Sequence, residues 1–437
     1  MSPEDVVYAC TCDLSGRVRG KGFPAADFDK RLARGIGFAP TNSQITCFDA
    51  IAPSPFGALG DRVLIPDPAT HVRLRAPELG LSEDFVMGDL HTTEGEPWAM
   101  CPRVILKEAL ARLDRLTGLT LLATCEHEFQ FKTNPLGMGY AYTLQGFRDR
   151  HIFAERLVGA MRAAGLHPDT VMKEYGIEQF EVTMDPAPGV AAADHAVILR
   201  QLVHAVASSL GEAVTFTPLR DPAGIGNGVH VHFSFLDASG RPATYDPDGK
   251  YRMSEVTGRF CAGILKYLDS ILALTAPSLV SYGRLTPHRW SAAYNNLGLQ
   301  DREASVRICP VSAMSDIDAA RQFNIEFRAA DAAASPYLQL AAIVHAGCQG
   351  IEEQLPVPDA TQEDLSELDD QTLAARGLQR LPETLPAALE RFAGNDTVRG
   401  WFRDPFPEVY LLHKKGEMDF LAGKSPQEIH AAYESVY

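Results

Sequence analysis

Polar pairs interrupt three apolar stretches of the chain in which strands are expected. The pairs, each two positions apart, are Glu126 and Glu128 in CEHEF, His230 and His232 in VHVHFSF, and Glu326 and Arg328 in IEFR. Side chains at i and i+2 share one face of a strand, so each pair faces one way and its apolar neighbours the other. Clustered carboxylates repel one another unless cations or arginines lie between them. The three pairs together predict a sheet whose polar face lines such a site.

The stretch GIGNGVHVHFSF, residues 224–235, has more than one interpretation. A dinucleotide fingerprint should follow a strand and open a helix, whereas these glycines follow LRDPA and precede a strand pattern. On a strand, His230, His232 and Ser234 share one face. The glycines would allow the backbone to approach a ligand closely. For the histidine pair taken alone, a solvated strand face is the alternative.

Further acidic and basic residues extend the predicted site. Glu174 and Glu181 come from EYGIEQFEV, and Arg284, Arg302 and Arg307 lie between the histidine strand and IEFR. Oxygen-rich ligation with a histidine suits Mg²⁺ or Mn²⁺ better than a cysteine-type zinc site. Two or more such ions commonly hold ATP phosphates during phosphoryl transfer. Guanidinium groups suit carboxylates and phosphates, although a single arginine is more often a surface residue.

Composition and charge exclude several classes of partner. The formal net charge is −16, from 40 Lys and Arg against 56 Asp and Glu. Without a basic excess to replace counterions, we expect neither nucleic acid nor an anionic membrane as partner. The N-terminus lacks the basic region of a signal peptide, and no apolar run approaches the roughly 20 residues of a membrane helix. Eight scattered cysteines without C-x-x-C pairs favour a reduced, cytoplasmic protein.

The pattern of strands and helices predicts two domains and an α+β fold. Residues 5–75 alternate short apolar runs with turn signals, which is typical of a small β-rich domain. A helix is predicted from Pro102 to Gly118, and we place the boundary before it, giving domains 1–97 and 98–437. Beyond it, strands alternate with helices, including predicted helices at 191–210 and 253–275. An antiparallel sheet with packed helices fits better than a βαβ series.

Taken in order, the motifs of nearly the whole chain resemble those of the glutamine synthetase superfamily. The stretches that carry the resemblance are CDLSGRVRGKGFPA, GDLHTTEGEPWAMCPRVIL, CEHEF, EYGIEQFEV, GNGVHVHFS, SYGRLTP and IEFRAADAAASPYL. The resemblance implies an N-terminal β-grasp domain and a C-terminal catalytic domain with a curved antiparallel sheet and flanking helices. It also implies a ring-shaped homo-oligomer, commonly a dodecamer, with active sites shared between subunits.

The resemblance also implies roles for individual residues. It implies two to three Mg²⁺ or Mn²⁺ ions, one held by Glu128, Glu174 and Glu181 and a second by Glu126, His230 and Glu326. It implies that the substrate glutamate contacts Arg284, Arg328 and the backbone near Gly226. It implies that the ATP side is lined by His232, Ser234, Arg307 and the catalytic Arg302. Asp13, donated by a neighbouring subunit, would help to bind and deprotonate ammonium or an amine.

The chain departs from the ammonium-using members at three positions. Trp290 stands roughly where those members carry a glutamate in the flap after the R-L-x-P loop. Ile225 and Asn324 stand where an asparagine and a nucleotide-binding arginine are expected. An aromatic side chain cannot act as a base, but it can pack an organic group or bind a cation. These changes resemble the glutamate–amine ligase branch, which forms γ-glutamyl amides from putrescine, ethanolamine, alkylamines or arylamines during amine catabolism, rather than ammonium-using glutamine synthetase.

Two further alternatives come from other classes of protein. A cupin metal motif also has a glycine followed after five residues by H-x-H, as Gly224 and His230 do. However, the glutamate expected four to five residues after the second histidine is absent, since Leu236 and Asp237 stand there. A non-catalytic, structural member of the superfamily is the other alternative, and the retention of all six proposed metal ligands argues against it.

Overall fold

The N-terminal part of the chain forms a six-stranded sheet. The computed structural model describes residues 4–133, 137–314 and 318–437. The strands of this sheet are β1 (Val6–Cys12), β2 (Val18–Pro24), β3 (Ile36–Phe38), β4 (Arg62–Pro66), β5 (Val72–Ala76) and β6 (Leu81–Thr92). Their order is β2-β1-β6-β4-β3, with β5 also paired to β6. Strands β1 and β6 are parallel, and the other pairs are antiparallel.

A ten-stranded sheet forms the centre of the C-terminal part. Its strands are β7 (Thr120–Phe131), β8 (Pro168–Lys173), β9 (Gln179–Met184), β10 (Ala187–Pro188), β11 (Val214–Thr215), β12 (Val229–Leu236), β13 (Leu297–Leu299), β14 (Val306–Ile308), β15 (Ile325–Phe327) and β16 (Ala360–Thr361). The main path is β16-β13-β14-β15-β12-β7-β9-β8, while β10 and β11 pair with β7. The predicted antiparallel pairing is wrong at one edge, where β13 runs parallel to β14 and β16. Because β13 and β14 are very short, the loop 300–305 can carry the chain back to the end of the sheet at which β13 begins. Strand β14 therefore runs in the same direction as β13.

Thirteen helices lie in the described ranges, and the longest pack against the sheets. They are α1 (Phe28–Arg34), α2 (Pro102–Thr117), α3 (Leu144–Asp149), α4 (His151–Ala163), α5 (Ala191–Ser209), α6 (Glu255–Thr275), α7 (Ala319–Gln322), α8 (Pro336–Glu352), α9 (Asp370–Ala375), α10 (Leu385–Gly394), α11 (Asp396–Arg399), α12 (Phe406–Leu421) and α13 (Pro426–Val436). As predicted, α2 begins at Pro102 and is capped by left-handed Gly118. None of these described helices is long and apolar enough to span a membrane.

The two faces of β12 have opposite character, as the sequence predicts. Phe233 and Phe235 are buried, and their rings lie 5.3 and 5.1 Å from that of Phe260 in α6. Aromatic contacts of this kind anchor a strand to the helix behind it. The histidines of the same strand therefore point away from the helix, towards the other side of the sheet.

One buried arginine ties the two parts of the chain together. Arg103 of α2 is 2% exposed, and its guanidinium donates to Asp67, Asp89 and Asp194 at 2.7 to 2.9 Å. Asp89 lies in β6 and Asp194 in α5, so a single side chain joins the N-terminal sheet to the helices beyond it. A buried arginine is stable only with such partners.

Candidate active site

The strand register brings the polar pairs together on one face of the large sheet. The opposed pairs are His230 with Glu126, His232 with Glu326, Arg307 with Glu326, and Glu128 with Glu181. Directly opposed residues have Cβ atoms roughly 4.5–5.5 Å apart, so their side chains are in contact range. The four strands β14, β15, β12 and β7, together with β9, thus form the floor of one polar site.

Two groups of side chains on this floor have ligand atoms within 4.8 Å of one another. They are Glu126, Glu181 and His230, and Glu126, His232 and Glu326. His230 Nδ1 lies 3.3 Å from Glu126 Oε2 and 3.7 Å from Glu326 Oε1. His232 Nε2 lies 3.2 Å from Glu126 Oε1. The ring of His232, which the resemblance assigns to the nucleotide side, thus also faces the carboxylates.

Glu128 and Glu174 lie beside these two groups and are held by residues that sequence reasoning missed. Glu128 Oε2 accepts hydrogen bonds from Gln179 Nε2 at 3.0 Å and from the Gly228 amide at 2.9 Å. Gln179 shares a strand face with Glu181, so the period of two could have identified it. Glu174 accepts from the Tyr142 hydroxyl at 2.9 Å. Tyr142 lies in an irregular segment whose sequence carries no comparable signal.

Burial and crowding shift the acidity of these carboxyl groups in opposite directions. Burial, followed by the charges of Glu126, Glu128 and Glu174, raises the pKa of Glu181 to about 9. Burial opposes ionisation of Glu126, but the adjoining rings of His230 and His232 outweigh it and hold its pKa well below the usual range. Without cations, a proton must therefore reside on part of the cluster at neutral pH.

The donor set fits divalent cations. Three glutamates and two histidines make up the two groups, and the buried His232 Nε2 has no hydrogen-bond partner in the described structure. Carboxylate oxygens that converge with a histidine nitrogen are the arrangement that a hard cation satisfies.

Arg284 is a buried cation that lacks an acidic partner. It is 4% exposed, and it forms no ion pair within the described parts of the chain. Its Nη1 donates to Ser291 Oγ at 2.9 Å and its Nη2 to the Ala330 carbonyl at 2.6 Å. Burial lowers its pKa. A buried guanidinium of this kind can accept the carboxylate of a substrate as its counter-charge.

The remaining arginines differ in position. Arg307 Nη1 donates to Glu326 Oε2 at 2.7 Å, and Arg328 Nη1 donates to Glu326 Oε1. Burial opposes ionisation of Glu326, but Arg328, the two histidines and Arg307 hold its pKa at about 2. Arg302 is exposed and forms no hydrogen bond with any described residue. The structure thus brings Arg307 and Arg328 into the cluster but leaves Arg302 outside it.

Hydrogen bonds to Arg328 and to Glu303 hold the loop that carries Trp290. Trp290 is 62% exposed, and its carbonyl accepts from Arg328 Nη2 at 2.9 Å. His288 and Trp290 have left-handed φ values of 62° and 50°, which non-glycine residues rarely adopt. The Glu303 carboxylate accepts from both backbone amides, at 3.1 and 3.2 Å, and so stabilises this turn. Glu303 also lines a cavity of about 450 Å³ behind the loop, together with Asp301 and His288. No sequence motif indicates the contact between Glu303 and the two amides, because it depends on the conformation of the loop.

The glycines before β12 make room for neighbouring side chains. A Cβ on Gly226 would lie 2.6 Å from Arg284 Cγ, and one on Gly228 would lie 3.0 Å from His230 Nε2. The space beside these glycines is therefore occupied by other side chains of the protein, above all that of Arg284. Ser234 lies further along β12, beyond the two cation-binding groups.

Asp13 directly follows β1, in the turn that leads to β2. Its Oδ1 accepts from the amides of Ser15 and Arg17 and from Ser15 Oγ, each at 2.9 Å. Its Oδ2 accepts from Arg19 Nε at 2.6 Å. Within one chain, this carboxylate is hydrogen-bonded to its own turn and to Arg19, and it belongs to neither of the two groups of ligand atoms.

A buried cluster of glutamates and histidines, flanked by arginines on an antiparallel sheet floor, defines a metal-dependent enzyme that acts on anionic substrates. The chain matches the models of the glutamine synthetase N-terminal domain over residues 2–98 and of the glutamine synthetase catalytic domain over residues 99–432. It therefore belongs to the glutamine synthetase family and is an ATP-dependent ligase. This assignment confirms the resemblance and the fold class and excludes the cupin alternative.

The chain is similar to relatives whose names describe different enzymes of this family. The gamma-glutamylpolyamine synthetase of Streptomyces coelicolor is 31% identical over 437 residues, covering 97% of this chain and 92% of that protein. The glutamine synthetase of Thermococcus kodakarensis is 30% identical and covers 91% of this chain and 85% of its own length. A crystal structure described as a novel glutamine synthase homologue is 39% identical, with a TM-score of 0.92 over 100% of this chain and 99% of its own. GmaS in complex with ADP is 26% identical, with a TM-score of 0.82 over 97% and 95% of the two chains.

Proposed function

We propose that this enzyme joins the γ-carboxylate of L-glutamate to an organic primary amine, such as a polyamine, ethanolamine, an alkylamine or an arylamine, in amine catabolism. The observation that carries the proposal is Trp290. Its exposed ring stands on the loop that borders Arg328, at the position where the ammonium-using members have a glutamate. A tryptophan cannot bind ammonium as a carboxylate does, but its face can pack a hydrocarbon or a cationic group.

Arg284 and Arg328 support glutamate as the acid substrate. Arg284 is buried without a carboxylate partner, and its Nη1 lies against the backbone at Gly228. A carboxylate of the substrate would supply the missing charge in bidentate fashion. Arg328 already contacts both Glu326 and the Trp290 carbonyl, so it would link the bound acid to the loop.

The proposed reaction proceeds in two steps. A γ-carboxylate oxygen attacks the γ-phosphorus of ATP, ADP leaves, and γ-glutamyl phosphate forms. The amine nitrogen then attacks the activated carbonyl, phosphate leaves with the bridging oxygen, and the nitrogen loses a proton. Divalent cations held by Glu126, Glu128, Glu174, Glu181, His230 and Glu326 would neutralise the phosphate charge. Arg307 and Arg302 would bind the moving phosphoryl group, and His232, Ser234 and the Gly226 backbone would position ATP and glutamate.

The proposed assembly places active sites between subunits. Asp13 of a neighbouring subunit would accept the amine proton in a ring-shaped homo-oligomer, commonly a dodecamer in this family. Domains 1–97 and 98–437 would then face one another across each subunit boundary. All eight cysteines are buried and unpaired, which favours a reducing, cytoplasmic location.

Ammonium is the second candidate for the nitrogen donor, and one observation favours it. Glu303 places a carboxylate within hydrogen-bonding distance of the Trp290 amide, so a carboxylate lies near the loop even without a flap glutamate. The names of the relatives represent both candidates, since they include a gamma-glutamylpolyamine synthetase and glutamine synthetases.

Substitution of Trp290 tests the choice of amine. In Trp290→Glu, we expect the ratio of kcat/KM for an alkylamine to kcat/KM for ammonium to fall by about 10-fold, or about 1.4 kcal/mol. Trp290→Phe is the matched control, because it keeps an aromatic face, and we expect it to retain the wild-type preference. Equal ratios in the wild type and in Trp290→Glu would overturn the proposed role of the ring.

A further inference from the structure

The two ring nitrogens of His232 have different surroundings. Nδ1 lies 2.8 Å from Asn324 Oδ1. Nε2 is buried without a hydrogen-bond partner in the described structure, although Glu126 Oε1 is 3.2 Å and Glu326 Oε1 is 3.9 Å away. The contact between Nε2 and Glu126 is therefore close in distance but lacks the direction of a hydrogen bond. An atom placed in this way is suited to share a cation with the carboxylates.

A backbone carbonyl determines which way the Asn324 amide faces. Asn324 Nδ2 donates to the Gln322 carbonyl at 3.0 Å. A carbonyl can only accept, so the amide nitrogen must face it and the amide oxygen must face His232. Because the amide oxygen is also only an acceptor, His232 Nδ1 must carry the hydrogen. In the neutral ring, Nε2 is then left with a free lone pair.

The three donor atoms form a second group, which shares Glu126 with the group built on His230. Glu126, His232 and Glu326 have ligand atoms within 4.8 Å of one another, and His230 forms its own group with Glu126 and Glu181. The Cys309 sulfur lies 3.7 Å from His232 Nδ1 and 3.8 Å from Glu326 Oε2. It is a weaker and more distant acceptor for Nδ1 than Asn324, so it does not determine the tautomer.

We propose that Asn324 is a positioning residue that holds His232 in the Nδ1–H tautomer and thereby makes Nε2 a donor for a divalent cation, together with Glu126 and Glu326. Residues behind a metal-bound histidine fix the tautomer and the ring orientation in this way. The inference rests on the metal-dependent ligase function but not on the identity of the amine. It explains what Asn324 does at a position where the family resemblance led us to expect a nucleotide-binding arginine.

Mn²⁺ binding to the full chain, without glutamate, amine or ATP, tests the proposal. Titration followed by the electron paramagnetic resonance signal of free Mn²⁺ gives the number of sites and their affinities. We expect Asn324→Leu to weaken one site by about 10- to 100-fold, as His232→Ala does. Asn324→Asp keeps an acceptor for Nδ1–H and should retain tight binding. Cys309→Ala is the matched control, because it removes the other neighbour of Nδ1, and it should bind Mn²⁺ like the wild type.

A double variant distinguishes positioning from a general structural effect. If Asn324 acts through His232, adding Asn324→Leu to His232→Ala should weaken Mn²⁺ binding no further. Wild-type affinity in Asn324→Leu, a loss in Asn324→Asp equal to that in Asn324→Leu, or an additive loss in the double variant would each overturn the proposal. Asn324→Ala replaces Asn324→Leu if circular dichroism shows the latter to be unfolded. Because no substrate is present, a wrong choice of amine would leave these results unchanged.

Discussion

Glu128 and Glu181 lie directly opposite each other on the adjacent antiparallel strands β7 and β9. Like charges at such a position destabilise a sheet unless a proton or a cation lies between them. Glu181 is buried, and burial together with Glu126, Glu128 and Glu174 raises its pKa to about 9. The free energy needed to bring these carboxylates together therefore depends on pH and on metal binding.

The stability of the metal-free protein should fall as pH rises from about 4.5 to about 9. The folded protein keeps a proton on Glu181 in this window, whereas the unfolded chain releases it near its ordinary pKa of 4.5. Stability from this group is therefore complete below pH 4.5 and is lost as pH rises through 9, by at most about 1.4 kcal/mol per pH unit. Thermal unfolding in EDTA at several pH values measures the slope.

Two comparisons identify the source of that slope. Saturating Mg²⁺ should reduce it, because the cation takes the place of the proton. Glu181→Gln should reduce it in EDTA, since the amide does not titrate. A slope that is unchanged in Glu181→Gln would show that another group is responsible.

Arg284→Lys should raise the KM for glutamate by about 10-fold or more and leave the KM for ATP nearly unchanged. A lysine carries the charge but cannot make the two parallel hydrogen bonds of a guanidinium. Steady-state kinetics with each substrate varied in turn provide the measurement. Arg289→Lys is the control, because Arg289 lies on the same loop and donates to the Gly224 carbonyl rather than into the site. Equal effects of the two substitutions would remove the special role of Arg284.

Glu303→Gln should loosen the loop that carries Trp290. The amide has only one oxygen, so it cannot accept from the His288 and Trp290 amides with two oxygens as the carboxylate does. We expect a change in tryptophan fluorescence and a rise in the KM for the amine of several-fold, since each charge-assisted bond contributes about 1.5–3 kcal/mol. Glu363→Gln, which lines the same cavity but pairs with Arg376, should change neither property. An unaltered KM in Glu303→Gln would separate the loop from amine binding.

Arg103→Met should lower the free energy of unfolding by about 3–5 kcal/mol, because it leaves Asp194 buried without its cationic partner. Urea unfolding followed by circular dichroism measures the loss. Arg403→Met removes a comparable but solvent-exposed pair with Glu108, and we expect a loss below about 1 kcal/mol. Similar losses in the two variants would contradict the joining role of Arg103.

The residues that line the site from the strands could be predicted from the sequence, but the contacts made by the surrounding loops could not. Glu126, Glu128, His230 and Glu326 follow the period of two along their strands, so their common face could be deduced from spacing. The family resemblance implied the antiparallel sheet that brings these strands together, which local patterns do not contain. The contacts of Asn324 with His232 and of Glu303 with Trp290 join irregular segments to distant strands. Such contacts depend on loop conformation, which has no period in the sequence.

The local surroundings of Asp13 and Arg302 show the same limit. The roles of both residues are inferred from the family resemblance. In the single chain, Asp13 is hydrogen-bonded to nearby residues and Arg302 is exposed. Their proposed roles depend on a neighbouring subunit or on bound ATP, and neither can be deduced from the pattern of one chain.

Product formation across a panel of nitrogen donors shows directly whether this enzyme prefers an organic amine to ammonium. The wild-type enzyme would be supplied with ATP, Mg²⁺ and L-glutamate, and with ammonium, putrescine, ethanolamine, methylamine or aniline. Phosphate release gives kcat/KM, and mass spectrometry identifies the γ-glutamyl product. We predict that at least one organic amine exceeds ammonium in kcat/KM by about 10-fold or more, consistent with a ring contact of about 0.5–2 kcal/mol. Glutamine as the preferred product, with ammonium used as well as or better than every amine, would contradict the account.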